Sequence, residues 1–323
     1  MKSCDVCGTL NLKENSYCTH CGSKFVIEHI CPYCGYVNQD YATHCLKCEK
    51  QINPVTIDDF DILFSEYNEN LLLNAKITDG EYAEILSNIF KRAKIVGFYG
   101  NTVRNKILNF ASIFTQCKPK SRGYERGFIF LDNCIYYDDR LEDSVQIATI
   151  IHELAHYFLY EIIENLLCYI FQVRPSPTLQ SFIWYFLTLP EFKIMNEYCA
   201  HTVEGRFIPH GYQNYGSFNV LVENADIDSQ SLDAMIAVGN SFANEIIVYL
   251  EKYIDEGLRQ DIKLQYAKDL TNPNYNSIFM ETDISLDLSV KNSVIISVLG
   301  DILKEASSPD TRKELGKIRE EII

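Results

Sequence analysis

Apolar residues along this chain recur mostly at helical spacing, with one short interval of strand-like runs. Helices are predicted at about 57–74, 79–96 and 102–115. The second opens with Thr78-Asp79-Gly80-Glu81, the order of a capping box. A hairpin is predicted next: runs 128–131 and 134–137 flank Asp132-Asn133, two residues suited to a tight turn. Then Ile147, Ile151, Leu154, Phe158 and Ile162 mark a long helix, buried on most sides. Asp143 or Ser144 can cap its start, and Arg174-Pro175-Ser176-Pro177 must end it. A further helix starts at Pro190, where proline fits the first turn, and Gly205 loosens or ends it. From about 226 onward the pattern is helical, around 232–250, at 284–305 and from Pro309, with no readable motif. These elements imply an α+β chain, mainly helical, with a small β-sheet.

The long helix carries His152-Glu153-Leu154-Ala155-His156, the pattern H-E-x-x-H. Residues four apart share a helix face, so both imidazoles can hold one metal ion. Zinc lowers the pKa of a bound water from about 15.7 to about 7. Glu153, beside that face, can accept the water's proton and pass it to a leaving amine. An acid between two histidines on an apolar helix is costly to bury without such partners.

Cysteine spacing adds a second feature. Eight of the twelve cysteines fall within the first 48 residues, as Cys4-x-x-Cys7 with Cys18-x-x-Cys21, then Cys31-x-x-Cys34 with Cys45-x-x-Cys48. The second set repeats the first at a period of 27, and Gly8 matches Gly35 as Asn11 matches Asn38. Each set supplies a closed four-thiolate zinc site, and metal supplies most of the folding energy of so small a unit. The segment resembles the double zinc ribbon family over residues 1–50, which implies two structural zinc ions and a protein- or nucleic-acid-contact role. His20, His29 and His44 are read as bystanders there. Cys117, Cys134, Cys168 and Cys199 show no paired spacing and read as small buried apolar residues.

A catalytic zinc needs a third protein ligand. An H-E-x-x-H-x-x-G-x-x-H pattern fails, because Leu159 and Ile162 stand at its later positions. The helix from Pro190 offers Glu197, His201 and Glu204 on one stripe, with small Ala200 allowing close approach. Glu197 is the expected ligand, and His201 and Glu204 remain alternatives. Hairpin, H-E-x-x-H helix and glutamate helix together resemble small gluzincins of the IrrE/ImmA and SprT-like kind, over roughly residues 127–206. In that family the fourth residue after the glutamate often orients a zinc histidine and is commonly Asp or Asn, so His201 departs from the pattern. The resemblance implies one catalytic zinc, a peptide substrate held along the open edge of the strand before the helix, and an oxyanion donor. His210, Tyr212 and Tyr157 are candidates for that donor.

The expected organisation is tandem ribbons at 1–50, a linker at 51–57, a zincin-like domain at 58–225 and a helical C-terminal extension packed on it at 226–323. Charge then narrows the partners. The net charge is −15, and residues 1–50 hold five basic and five acidic residues, so the excess lies in the remainder. An acidic body repels nucleic acid, and neutral ribbons favour a protein partner. Lys118, Lys120, Arg122 and Arg126 form a basic loop, read as a solvated rim or as a substrate or nucleic-acid contact. No signal peptide or membrane span is expected, so a cytoplasmic location follows. The function implied is a zinc endopeptidase acting on protein; a non-hydrolytic zinc scaffold and a nucleic-acid-associated SprT-like protease are the alternatives.

Overall fold

The computed structural model describes residues 77–91, 100–121, 127–129, 133–171, 175–269, 273, 279, 282–306 and 317, and within the first 50 residues positions 2–3, 10–11, 20, 29–30, 36–38 and 47. The eight ribbon cysteines, the linker, the helix expected at 57–74, Arg122, Arg126 and, apart from residue 317, the helix from Pro309 lie outside these residues. Four two-residue strands are described near the N-terminus: β1 (Lys2–Ser3), β2 (Leu10–Asn11), β3 (His29–Ile30) and β4 (Val37–Asn38). β1 pairs with β2 antiparallel, Lys2 opposite Asn11; β3 pairs with β4 antiparallel, His29 opposite Asn38. The two registers are offset by 27 residues, the period of the cysteine pattern.

The chain forms two compact units: Met1–Arg92, Ile162–Phe186 and Leu288–Ile323 make one, and Ala93–Glu161 and Leu187–Asp287 the other. The first contains α1 (Asp79–Lys91), α4 (Pro177–Thr188), α9 (Leu288–Ala306) and the last turns of α3 (Asp143–Phe171). The capping box of α1 forms in full. The Thr78 amide donates to Glu81 Oε2 at 2.8 Å and the Glu81 amide to Thr78 Oγ1 at 3.3 Å. Tyr169 of α3 donates its hydroxyl to the other Glu81 oxygen, and Tyr82, Leu86, Ile89 and Phe90 are buried. From α9, Lys291 is buried with its ammonium 4.9 Å from the Tyr82 ring centre.

The second unit holds α2 (Val103–Thr115), β5 (Lys120–Ser121), β6 (Gly127–Ile129), β7 (Ile135–Tyr137), the first part of α3, α5 (Pro190–Phe207), α6 (Gly216–Asn224), α7 (Ser229–Leu250) and α8 (Glu256–Asp269). Thr102 caps α2 by accepting from the Asn105 amide. The buried face of α2 meets α3 through an edge-on contact of Phe114 with Phe158. Ile147, Ile151, Leu154, Phe158 and Ile162 are all fully buried, as their spacing predicts. α7 packs along α5 so closely that a Cβ on Gly239 would lie 2.7 Å from the Met195 carbonyl oxygen; only glycine fits there.

Four expectations change. β7 is the middle strand of a three-stranded sheet, with β6 antiparallel on one side and β5 parallel on the other, so the strand before α3 has no open edge. The loop after α2 itself contributes β5 and fills that position. Ile129 pairs with Ile135, a register one residue off that of a two-residue Asp132-Asn133 turn; Asp132 lies outside the described residues, and Asn133 is left-handed at φ 57°. Asp143 and Ser144 do not cap α3: both are helical, Asp143 pairs with Arg104 at 3.3 Å, and the Ser144 amide donates to Asp269 of α8 at 3.0 Å. α5 runs through Gly205 to Phe207, because Gly205 serves a close approach instead: a Cβ there would be 3.0 Å from the Tyr215 hydroxyl. Among the described residues no helix is long and apolar enough to cross a membrane.

Candidate metal centre

The centre is built by two helices of the second unit. On α3, His152 and His156 stand one turn apart, with ring centres 4.8 Å apart and nearly perpendicular. Their Nε2 atoms converge to 3.1 Å. The intervening Leu154 and Ala155 are fully buried and hold this face in place. α5 begins at Pro190, as proline at a first turn allows, and places Ala200 fully buried among its contacts. Its Glu197 Oε2 lies 3.5 Å from His152 Nε2 and 3.9 Å from His156 Nε2. These three separations are close to the edge of a tetrahedron with bonds of about 2.0–2.1 Å, about 3.4 Å. Two imidazole nitrogens and a carboxylate oxygen are also a donor set that zinc accepts.

The far side of each ring is held as a metal ligand requires. His156 Nδ1 donates to Asn196 Oδ1 at 2.7 Å, and His152 Nδ1 donates to Glu204 Oε2 at 3.0 Å. Both partners present acceptor oxygens, so each Nδ1 carries a proton and Nε2 is the nitrogen that faces the centre. Glu204 is thus a partner of His152 rather than a member of the converging trio. Asn196 was not singled out by the sequence. Its only local signal is that it precedes the candidate ligand Glu197, and its partner is 40 residues away.

Charge accumulates here. Burial works against the charged form of His152, yet the contacts with Glu197 and Glu204 and the nearby charge of Glu153 outweigh it and hold its pKa well above the ordinary value. Burial raises the pKa of both acids, and the imidazoles outweigh it in turn. Glu197 is held well below the usual carboxylate range, and Glu204 is lowered to about 2. The centre therefore holds positive charge, that of the His152 imidazolium, between two half-buried carboxylates.

His201 is the remaining member. It lies on α5, its side chain is 5% exposed, and its ring centre is 4.6 Å from that of His152. Its Nδ1 is 3.3 Å from Glu204 Oε2, but the angle makes no hydrogen bond, and neither ring nitrogen has a hydrogen-bond partner. His152, Glu197 and His201 also offer ligand atoms within 4.8 Å of one another. The set with His156 is the tighter of the two, at 3.1–3.9 Å, and we take it as the primary one.

Other candidates are placed as follows. Glu153 is buried on α3 next to His152. Tyr157 is buried and donates its hydroxyl to the Phe114 carbonyl at 3.0 Å, which makes it a core residue and not an oxyanion donor. His210 is exposed, and Tyr212 packs against Tyr266 of α8, with ring centres 5.1 Å apart. Tyr215, which the sequence did not single out, packs its ring 5.5 Å from His201. Lys118 and Lys120 are exposed. Cys134 and Cys199 are buried as expected, whereas Cys117 and Cys168 are only half-buried. No family model, curated protein or solved structure matches the chain.

Proposed function

We propose that this chain is a zinc-dependent endopeptidase of gluzincin type, acting on protein substrates in the cytoplasm, with its N-terminal ribbons as a protein-contact module. The observation that carries the reading is the convergence of His152 Nε2, His156 Nε2 and Glu197 Oε2, each imidazole locked from behind by Asn196 or Glu204. These three side chains would hold the ion. Zinc, when bound, supplies Lewis acidity to a substrate carbonyl and acidifies water.

The chain's own residues do the rest. Asn196 and Glu204 keep both rings in the Nδ1–H tautomer and fix their planes. Glu197 is the most exposed of the trio, its side chain 26% accessible against 14% and 12% for the histidines, so substrate enters from its side. Glu153 accepts a proton from water and delivers it to the leaving amine, the role of a general base and then acid. With β7 central in its sheet, an extended peptide can add only to an outer strand, and β6 is the longer of the two.

The test is Glu153→Gln in the full chain. It is expected to keep its zinc content and to lose hydrolysis of a mixed peptide library by about 100-fold or more. Equal cleavage by variant and parent removes Glu153 from this role. No cleavage by zinc-loaded parent favours a non-hydrolytic scaffold instead.

A further inference from the structure

We infer that His201 is a fourth protein ligand of the same metal ion, so that the resting centre is coordinatively closed and His201 must give way before substrate can bind. This rests on the metal reading proposed above. Two independent observations carry it. A ring nitrogen of His201 falls within 4.8 Å of ligand atoms on both His152 and Glu197, so it borders the same centre. The ring is also almost wholly buried, with both nitrogens lacking a hydrogen-bond partner. A buried imidazole in that condition is costly unless something binds it. Its neighbours offer little else: Tyr215, Phe218 and Phe279 surround it with ring faces and edges, at centre distances of 5.5, 6.2 and 6.2 Å. Glu204 Oε2, which accepts from His152 Nδ1, lies 3.3 Å from His201 Nδ1 as an ion-pair contact without forming a hydrogen bond to it.

The chemistry follows from the donor count. Three protein ligands leave a tetrahedral zinc one position for water, and four leave none. With His201 as a ligand, the ion would be held as in a structural site. With His201 released as a neutral imidazole, one position would be left for water or a substrate carbonyl. The same four side chains therefore provide a closed and an open form of one site, without any added inhibitor.

The experiment counts imidazoles. Cobalt(II) is exchanged into the histidine site of the full-length protein, and X-ray absorption at the cobalt edge reads its first shell, blind to zinc elsewhere. Three imidazoles in the parent and two in His201→Phe support the inference; phenylalanine keeps the ring packing against Tyr215, Phe218 and Phe279. Chelator competition should then show affinity in the variant lower by at least about tenfold. Two imidazoles in the parent overturn the inference while leaving the proposed trio intact, and this outcome needs no variant to fold. Cobalt bound without any histidine overturns the inference and the metal reading together.

Discussion

At the scale of single residues, the H-E-x-x-H histidines matter less alone than with the oxygens behind them. Removing the Asn196 oxygen by Asn196→Ala should weaken zinc binding about 10–100-fold, read by chelator competition. Glu204→Gln keeps an acceptor for His152 Nδ1 and should lose less affinity than Glu204→Ala; the same loss in both would mean that charge, not orientation, is what Glu204 supplies. The sequence displays His152, Glu153 and His156 plainly, since helical geometry alone puts the two rings on one face. It cannot display which distant oxygen meets which ring. Asn196 and Glu204 are ordinary helix residues until α5 lies against α3, and His201, the fourth residue after Glu197, does not orient a histidine.

At the scale of elements, α5 is positioned from behind by α7, and Gly239 sets their separation. Gly239→Ala introduces a methyl group 2.7 Å from the Met195 carbonyl and should destabilise the protein by about 1–3 kcal/mol, seen in the urea midpoint. Because Met195 neighbours Asn196 and Glu197, zinc affinity should fall with it. A control lies in the other unit. Thr78→Ala removes the capping box of α1, should cost about 1 kcal/mol, and should leave zinc affinity unchanged. α2 was legible to within a residue at its ends, and α3 in its buried face though not in its cap. The sheet was less so. β5 is two residues inside a basic loop with no alternation to reveal it, and a one-residue change of register at Asn133 depends on turn geometry, not on apolar pattern.

At the scale of the whole molecule, metal stoichiometry is the sharpest consequence. Two four-cysteine sites and one histidine site should give three zinc ions per chain. Elemental analysis of a His152→Phe, His156→Phe double variant should find two. A mild chelator should remove the histidine-bound ion from the parent first, since His201 can give way to it whereas the four-thiolate cages have no ligand that does. Two ions in the parent, or three in the double variant, would falsify the metal assignment of α3. The net charge of −15 belongs to this scale too, and makes binding to nucleic acid at low salt an unexpected outcome in a gel-shift titration.

Every side chain of the centre comes from α3 or α5, and α5 carries its four in the order Asn196-Glu197-x-x-x-His201-x-x-Glu204. That order is a searchable signature. His-Glu-x-x-His followed 40 residues later by Asn-Glu-x-x-x-His-x-x-Glu needs no overall resemblance to be found, so it can gather kindred chains by the site alone. Among chains so gathered, those keeping the first histidine pair and Asn-Glu but varying the third histidine would separate lineages that retain a closing ligand from lineages that have discarded it.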